Sequence, residues 1–508
     1  MNSNNATYGA APKRFQMPLC DKILTTEISN DYTLPDYQPE IRRVLRVDAS
    51  ILPPAKYVGG SQAEFNGTVD YHLLYVGQDG CMYSAPLSAE YSFNAPLDIS
   101  SEFDLNEGVV ILADTRDENI TTRVSGPRKL TIKCRLCSRV RAYGMMIADE
   151  RCSGEVNPMS VERLMGECEC SVLLSGFGDT IEISDEINTN TENMRVISAS
   201  ANVCISDVTA SAGTADCRGD IELKLLVCRD ESTGTLETLS RKISFGEQVE
   251  IDDISPDSLC SARAYVNDIG INVEEGRILC DLGVIPEIRA YGKNVVSYTR
   301  DIYSTENSSE TAYRGYTIPS LNCASRGNFS QSERIPVAET SISQGSRIID
   351  VCCKPHAESF EFDKNKAVLL GECKYFMLIE NEGEFSSSEL ILPFRYEAEI
   401  SSDAPSDFSA DMSVLSCRAR IDGGNLCIDS ELSVSAEFFG NRAINVLSEV
   451  RFGEMVKKSD GDIVICFPAP DDTPWSVAKK YSVPVNKLSG ISSPSDDISG
   501  INYLVVNM

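Results

Sequence analysis

The chain has 508 residues, too many for one core at roughly 150 residues per domain, so three or four domains are predicted. Its 42% hydrophobic and 24% charged residues fit folded globular domains and exclude a disordered chain. A formal charge of −30 repels phosphate backbones and anionic lipid, which argues against nucleic acid and membrane surfaces and leaves solubility or a basic partner. No run approaches the ~18 apolar residues of a membrane span, so no membrane insertion is expected. Met1–Thr7 lacks the basic and apolar regions of a secretory signal, and a cytoplasmic location is expected.

Nineteen cysteines are spread along the chain. In a reducing compartment most read as small buried hydrophobes, as with Cys204 and Cys228 in apolar runs. Cys134 and Cys137 form a Cys-x-x-Cys, but no second pair completes a zinc site and both fall in one alternating strand.

Taken in chain order, the segments repeat. The first unit opens with Leu24–Ile28, Tyr32–Asp36 and Ile41–Val47. The second opens with Thr180–Ile183 and Met194–Ile197, the third with Ile335–Val337 and Ile348–Val351. A Gly then starts a strand-like run in each: Gly67–Tyr75, Gly219–Val227 and Gly371–Ile379, at intervals of 152 (219 − 67 and 371 − 219). The alternation within these runs predicts half-buried strands. Phe93, Phe245 and Phe394 follow, each six residues before an Ile (Ile99, Ile251, Ile400). Each unit closes on an aromatic-Gly pair, Tyr143-Gly144, Tyr291-Gly292 and Phe439-Gly440, at intervals of 148 (291 − 143 and 439 − 291). The aromatics read as core anchors and the glycines as turn formers. Turns such as Pro53-Pro54, Gly59-Gly60, Gly213-Thr214 and Gly423-Gly424 punctuate the runs, which indicates a β-sandwich or barrel. Between the units, Val161–Met165 reads as a short helix, and the Ser/Asn/Thr-rich stretch Ser304–Ser330 as a linker.

The last fifty or so residues differ in kind. Val464–Phe467 reads as a strand. Trp475, Val477, Ala478 and Tyr481 form a helical stripe, with Thr473 placed to cap the helix and Pro474 at its first position. Val483–Leu488 suggests a second short helix and Ile501–Val506 a closing strand. The reading is therefore mainly β: three tandem β-sandwich-like repeats (15–147, 165–295 and 328–445) plus a small βααβ domain (460–508).

Asp472-Thr-Pro-Trp-Ser-Val-Ala-Lys-Lys-Tyr-Ser-Val-Pro-Val-Asn-Lys-Leu488 resembles the LysM domain, with departures at Asp471 and Pro474 and with Ser489-Gly490-Ile491 in place of the usual Asn. That family binds N-acetylglucosamine polymers, as in peptidoglycan, beside these loops. Leu34–Val47 followed by Gly67–Val76 resembles the SPOCS domain of endospore-forming bacteria, often accompanied by a C-terminal LysM. The resemblance implies a mother-cell protein at the forespore surface, anchoring the spore coat through its morphogenetic ATPase or another coat protein. Carried over by residue, that contact involves Asp472, Thr473, Trp475, Ser476 and Lys479, with Asp472 and Lys479 expected on the surface.

Enzyme signatures are missing. His72 reads as a strand-face residue and His356, after Pro355, as a turn residue. Neither has a nucleophile-base arrangement, and there is no P-loop or HExxH. Paired carboxylates carry no weight in so acidic a chain. No cofactor and no metal is expected. The leading expectation is a coat-assembly scaffold. A peptidoglycan-binding wall protein and a self-assembling envelope protein are the alternatives.

Overall fold

The computed structural model describes residues 13–189, 194–229, 235–274, 276–400, 404–456 and 463–508. Met1–Thr7 and residues 460–462 of the small domain lie outside them.

The fold is mainly β, and each repeat is a sandwich of two antiparallel sheets. One sheet is built around a central strand starting at Gln62, Thr214 or Lys366 with a neighbour on each side; in unit one the first neighbour is split into Ile41–Ile51 and Ala55–Gly59. The other joins the unit's opening strand, split in unit two into Val161–Phe177 and Ile181–Asn188, to its last two. The final strands begin at Lys129, Arg277 and Asn425, again 148 apart (277 − 129 and 425 − 277). We call these the short and the long sheet. Alternating residues of both fill the interior of each unit, for example Ile221, Leu223 and Leu225 against Ile278, Cys280 and Leu282.

The repeat glycines have a steric cause. A Cβ on Gly219 would sit 2.7 Å from the Phe245 ring, and one on Gly371 would sit 2.8 Å from Phe394 and 2.0 Å from the His356 carbonyl. Each lies in register with its aromatic on the neighbouring strand. In the first unit the residue opposite Gly67 is Tyr91, not Phe93, and the buried aliphatic six residues on is Leu97. Phe93 was mistaken for it because residues two apart share a strand face; Phe93 stacks between Phe65 and Tyr91.

Three further readings are corrected. Val161–Phe177 is a strand along the final strand of unit two, not a helix. Asn307–Pro336 is a continuous thirty-residue edge strand where a linker was expected. Its polar composition and Pro319 suit a sheet edge, where one backbone face needs no partner. His356 lies within the strand Arg347–Asp363 and not in a turn.

The units are not strung out as separate beads but close a ring in which each touches both others. Gln16 exchanges hydrogen bonds with the Leu173 backbone at the junction of units one and two. Ser261 bonds Glu437 between units two and three. Lys354 reaches Asp117 at 3.0 Å between units three and one. Along the centre run three clusters that draw on all three units. One joins Leu45, Leu74, Ile197, Leu226 and Leu378, another Leu112, Leu173, Tyr291, Leu321 and Phe439, and the last Phe15, Val296 and Ile444. The aromatic-Gly markers thus anchor the joint between units, which explains their strict spacing.

Charges fix the order of the units around the centre. Arg141, Arg289 and Glu437 occupy equivalent positions (289 − 141 and 437 − 289 are both 148), and all three are buried. Asp114 of unit one receives Arg289 at 2.5 Å, Arg141 at 3.3 Å and Arg263. Burial opposes the Asp114 charge, but these guanidiniums outweigh it and hold its carboxyl far below the ordinary range. A second ionic knot forms at Asp350, which meets Arg46 of unit one and Lys224 of unit two at 3.3 and 2.6 Å. Opposite charges at equivalent places mean that each unit is complementary to its neighbours and not to copies of itself.

Candidate functional site

The candidate site is the small domain and the place where it meets the ring. Ile463–Cys466 pairs antiparallel with Leu504–Asn507. Between them lie the helix Pro474–Tyr481 and a single 3₁₀ turn, Val485–Lys487, in place of the second helix read from sequence. The turn ends because Leu488 bridges Val506 and the Ser489 amide donates to the Val505 carbonyl at 2.9 Å, which draws the chain onto the closing strand. The closing strand starts at Leu504 and not at Ile501.

The five residues singled out in the sequence fall into two sets. Asp472, Thr473 and Ser476 build the entrance to the helix. Thr473 Oγ1 accepts from the Ser476 amide at 3.1 Å, Ser476 Oγ accepts from the Thr473 amide at 3.0 Å, and that hydroxyl lies 3.0 Å from Asp472 Oδ1. This reciprocal capping box satisfies donors that the first helical turn leaves free. Asp472 also accepts from the Ala469 amide at 2.8 Å. That bond and the Ser476 hydroxyl hold its carboxyl below the ordinary range.

Trp475 and Lys479 point to the ring. Trp475 Nε1 donates to Asp301 Oδ2 at 2.8 Å, and Lys479 Nζ sits 2.7 and 2.9 Å from the two Asp301 oxygens. The Tyr313 hydroxyl donates to the same carboxylate at 2.6 Å. Burial opposes the charge on Asp301, but the bonds from Lys479, Tyr313 and Trp475 outweigh it and lower the carboxyl below its usual range. Beside this hub the Tyr303 ring meets Trp475 edge-on at 4.8 Å, and its hydroxyl donates to the Val483 carbonyl at 2.7 Å. Tyr303 is thereby part of the small domain's own core. Trp475 is only 6% exposed, and Asp472 and Lys479, expected on the surface, are both half-buried.

Asp301, Tyr303 and Tyr313 were missed because they lie in a different unit, at the end of one long strand and the start of the next. A weak signal was present, the alternation of Asp301 and Tyr303 in the otherwise unassigned stretch after Tyr291.

The opposite side of the domain is open. Alternation sends Val464 and Cys466 into the core and leaves Ile463, Ile465 and Phe467 outward, at 60%, 57% and 75% exposure, with Tyr503 at 56% nearby. A contiguous apolar face of this kind is a mark of an interaction surface. Cys134 and Cys137 offer no comparable site: an odd separation sends them to opposite faces of their strand.

Comparison with known proteins assigns one segment. Residues 194–274 match the family described as SipL, SPOCS domain, covering the short sheet of the second unit and the strand that follows it. No curated protein and no solved structure matches the chain.

Proposed function

We propose, on the premise that this chain carries a SPOCS domain and with it a sporulation-related role, that it is a non-catalytic scaffold of the endospore coat whose small C-terminal domain docks a coat protein. The SPOCS match is the observation that carries the reading. The ring supplies a rigid body, since its units share cores and buried ion pairs. The small domain is the head. Trp475 and Lys479 set its position on the ring through Asp301. The open face of Ile463, Ile465 and Phe467, with Asp472, Thr473 and Ser476 at the helix entrance, meets the partner. That partner is the coat's morphogenetic ATPase or another protein of its basal layer, and the place of action is the forespore surface in the mother cell.

The test is binding of the purified full chain to the purified coat ATPase. The scaffold reading expects saturable binding that falls at least tenfold in an Ile465→Asp, Phe467→Asp variant whose circular dichroism is unchanged. Retention on purified peptidoglycan, with no binding to coat proteins, would replace it with a wall-binding function.

A further inference from the structure

The repeat supplies an internal comparison for every core position, and at one place the third unit departs from the other two. Cys353 lies opposite Tyr375, in the position of Ala201 opposite Leu223 and Ala49 opposite Tyr71. Cys373 matches Ile221 and Val69 at intervals of 152 (373 − 221 and 221 − 69). Cys417 lies opposite Ser430, in the position of Ile269 opposite Leu282 and Ile120 opposite Cys134. Each of these sets belongs to the core of its own unit. Two units therefore fill this spot with Ala, Ile or Val, and the third fills it with three thiols from three different strands.

The thiols meet. All three pack in the core of the third unit, where the Cys353 thiol interacts with those of Cys373 and Cys417. Cys353 belongs to the short sheet and Cys417 to the long sheet. Both line a cavity of about 430 Å³ between units two and three, which also takes in Lys224 and Ser416. Cys373 is fully buried and does not line it. Among the described residues no group of His, Cys, Asp or Glu is disposed to hold a metal ion. Adjacent thiols beside a solvent-connected cavity have a different chemistry open to them, which is oxidation.

We propose that Cys353 and Cys417 form an oxidation site, a dithiol that a hydroperoxide converts into a disulfide bridging the two sheets of the third unit. In the first step the Cys417 sulfur attacks hydrogen peroxide, the O–O bond breaks, and a sulfenic acid and one water result. In the second step the Cys353 sulfur displaces the hydroxyl, forming the S–S bond and releasing a second water. Two thiols and one peroxide give one disulfide and two waters. The bridge closes a sandwich edge that packing alone holds in the other two units, so oxidation stiffens the third unit selectively.

The test is peroxide treatment of the full-length protein, alkylation of remaining thiols, and disulfide mapping by mass spectrometry. Titratable thiols fall by two, and one bridge links the strand bearing Cys353 to the strand bearing Cys417. The bridge is lost in Cys353→Ala, a variant that keeps its fold because Ala fills the equivalent place in units one and two. It survives in Cys373→Ala. A folded protein that forms no bridge under peroxide, a bridge between Cys353 and Cys373, or a bridge that persists in Cys353→Ala would each overturn the assignment.

Discussion

Replacing Asp301 with Ala removes the hub that seats the small domain on the ring. The hydrogen bond from Trp475 Nε1 is largely buried, and its loss costs about 1 to 1.5 kcal/mol. The ion pair with Lys479 is part-exposed, at 34% for the lysine side chain, so the freed ammonium can rehydrate and its loss costs about 1 kcal/mol. The Tyr313 bond lies within the ring and does not count toward docking. Docking therefore weakens by about 2 to 2.5 kcal/mol, or roughly 30- to 70-fold. The Tyr303–Trp475 contact remains and keeps the domain from parting altogether. Trp475 is the only tryptophan of the chain, so its fluorescence reports the small domain and its seat on the ring. The variant should show red-shifted emission, faster acrylamide quenching and a lower urea midpoint for that signal, with the β-sheet circular dichroism intact. Acid should act in the same direction. A carboxyl whose folded pKa is depressed stabilises above its unfolded value near 4, and that stabilisation is lost as pH falls through the folded value. Emission and quenching identical to those of the parent protein would refute the docking geometry.

Other consequences follow from the repeat and the ring. Gly371→Ala should cost about 3 kcal/mol, because its Cβ meets a backbone carbonyl at 2.0 Å, whereas Gly67→Ala meets only the Tyr91 ring and should cost about 1 kcal/mol; urea unfolding measures both. Arg289→Ala leaves Asp114 and buried Glu287 short of a counter-charge and should cost about 3 to 5 kcal/mol by the same measurement. His356 is held neutral by burial and by Arg116 across the junction of units three and one, with its pKa pushed down to about 4. Its stabilising effect is full above pH 6.5 and is lost as pH falls toward 4, since the unfolded chain takes up the proton first. The upper limit is about 3 kcal/mol, and screening of this partly exposed ring reduces it to about 1 to 2 kcal/mol. His356→Gln should flatten that part of the stability–pH curve.

How much was legible in the sequence follows from where each signal lay. The interval between Gly67, Gly219 and Gly371 was visible because a Cβ at each would meet an aromatic ring on the next strand and, at Gly219 and Gly371, a backbone carbonyl as well. The capping box at Thr473 and Ser476 was legible because capping is local. Asn307–Pro336 was misread because an edge strand tolerates polar residues on both faces and its strand character comes from pairing with Asn425–Met455. The ring was invisible for a related reason. Arg141, Arg289 and Glu437 look like ordinary surface charges until the units close on each other. Trp475 and Lys479 were singled out as contacts to a partner, whereas in the structure both bond Asp301 of the same chain, a residue far away in sequence.

In the proposed function the ring presents the small domain as a docking head at the forespore. The most direct measurement is the position of a fluorescent fusion in sporulating cells, comparing the full chain with one lacking residues 463–508. On that reading, a full-length signal encircling the forespore and a truncated signal spread through the mother cell are expected. A full-length signal that stays diffuse, or a truncated one that still encircles the forespore, would contradict it.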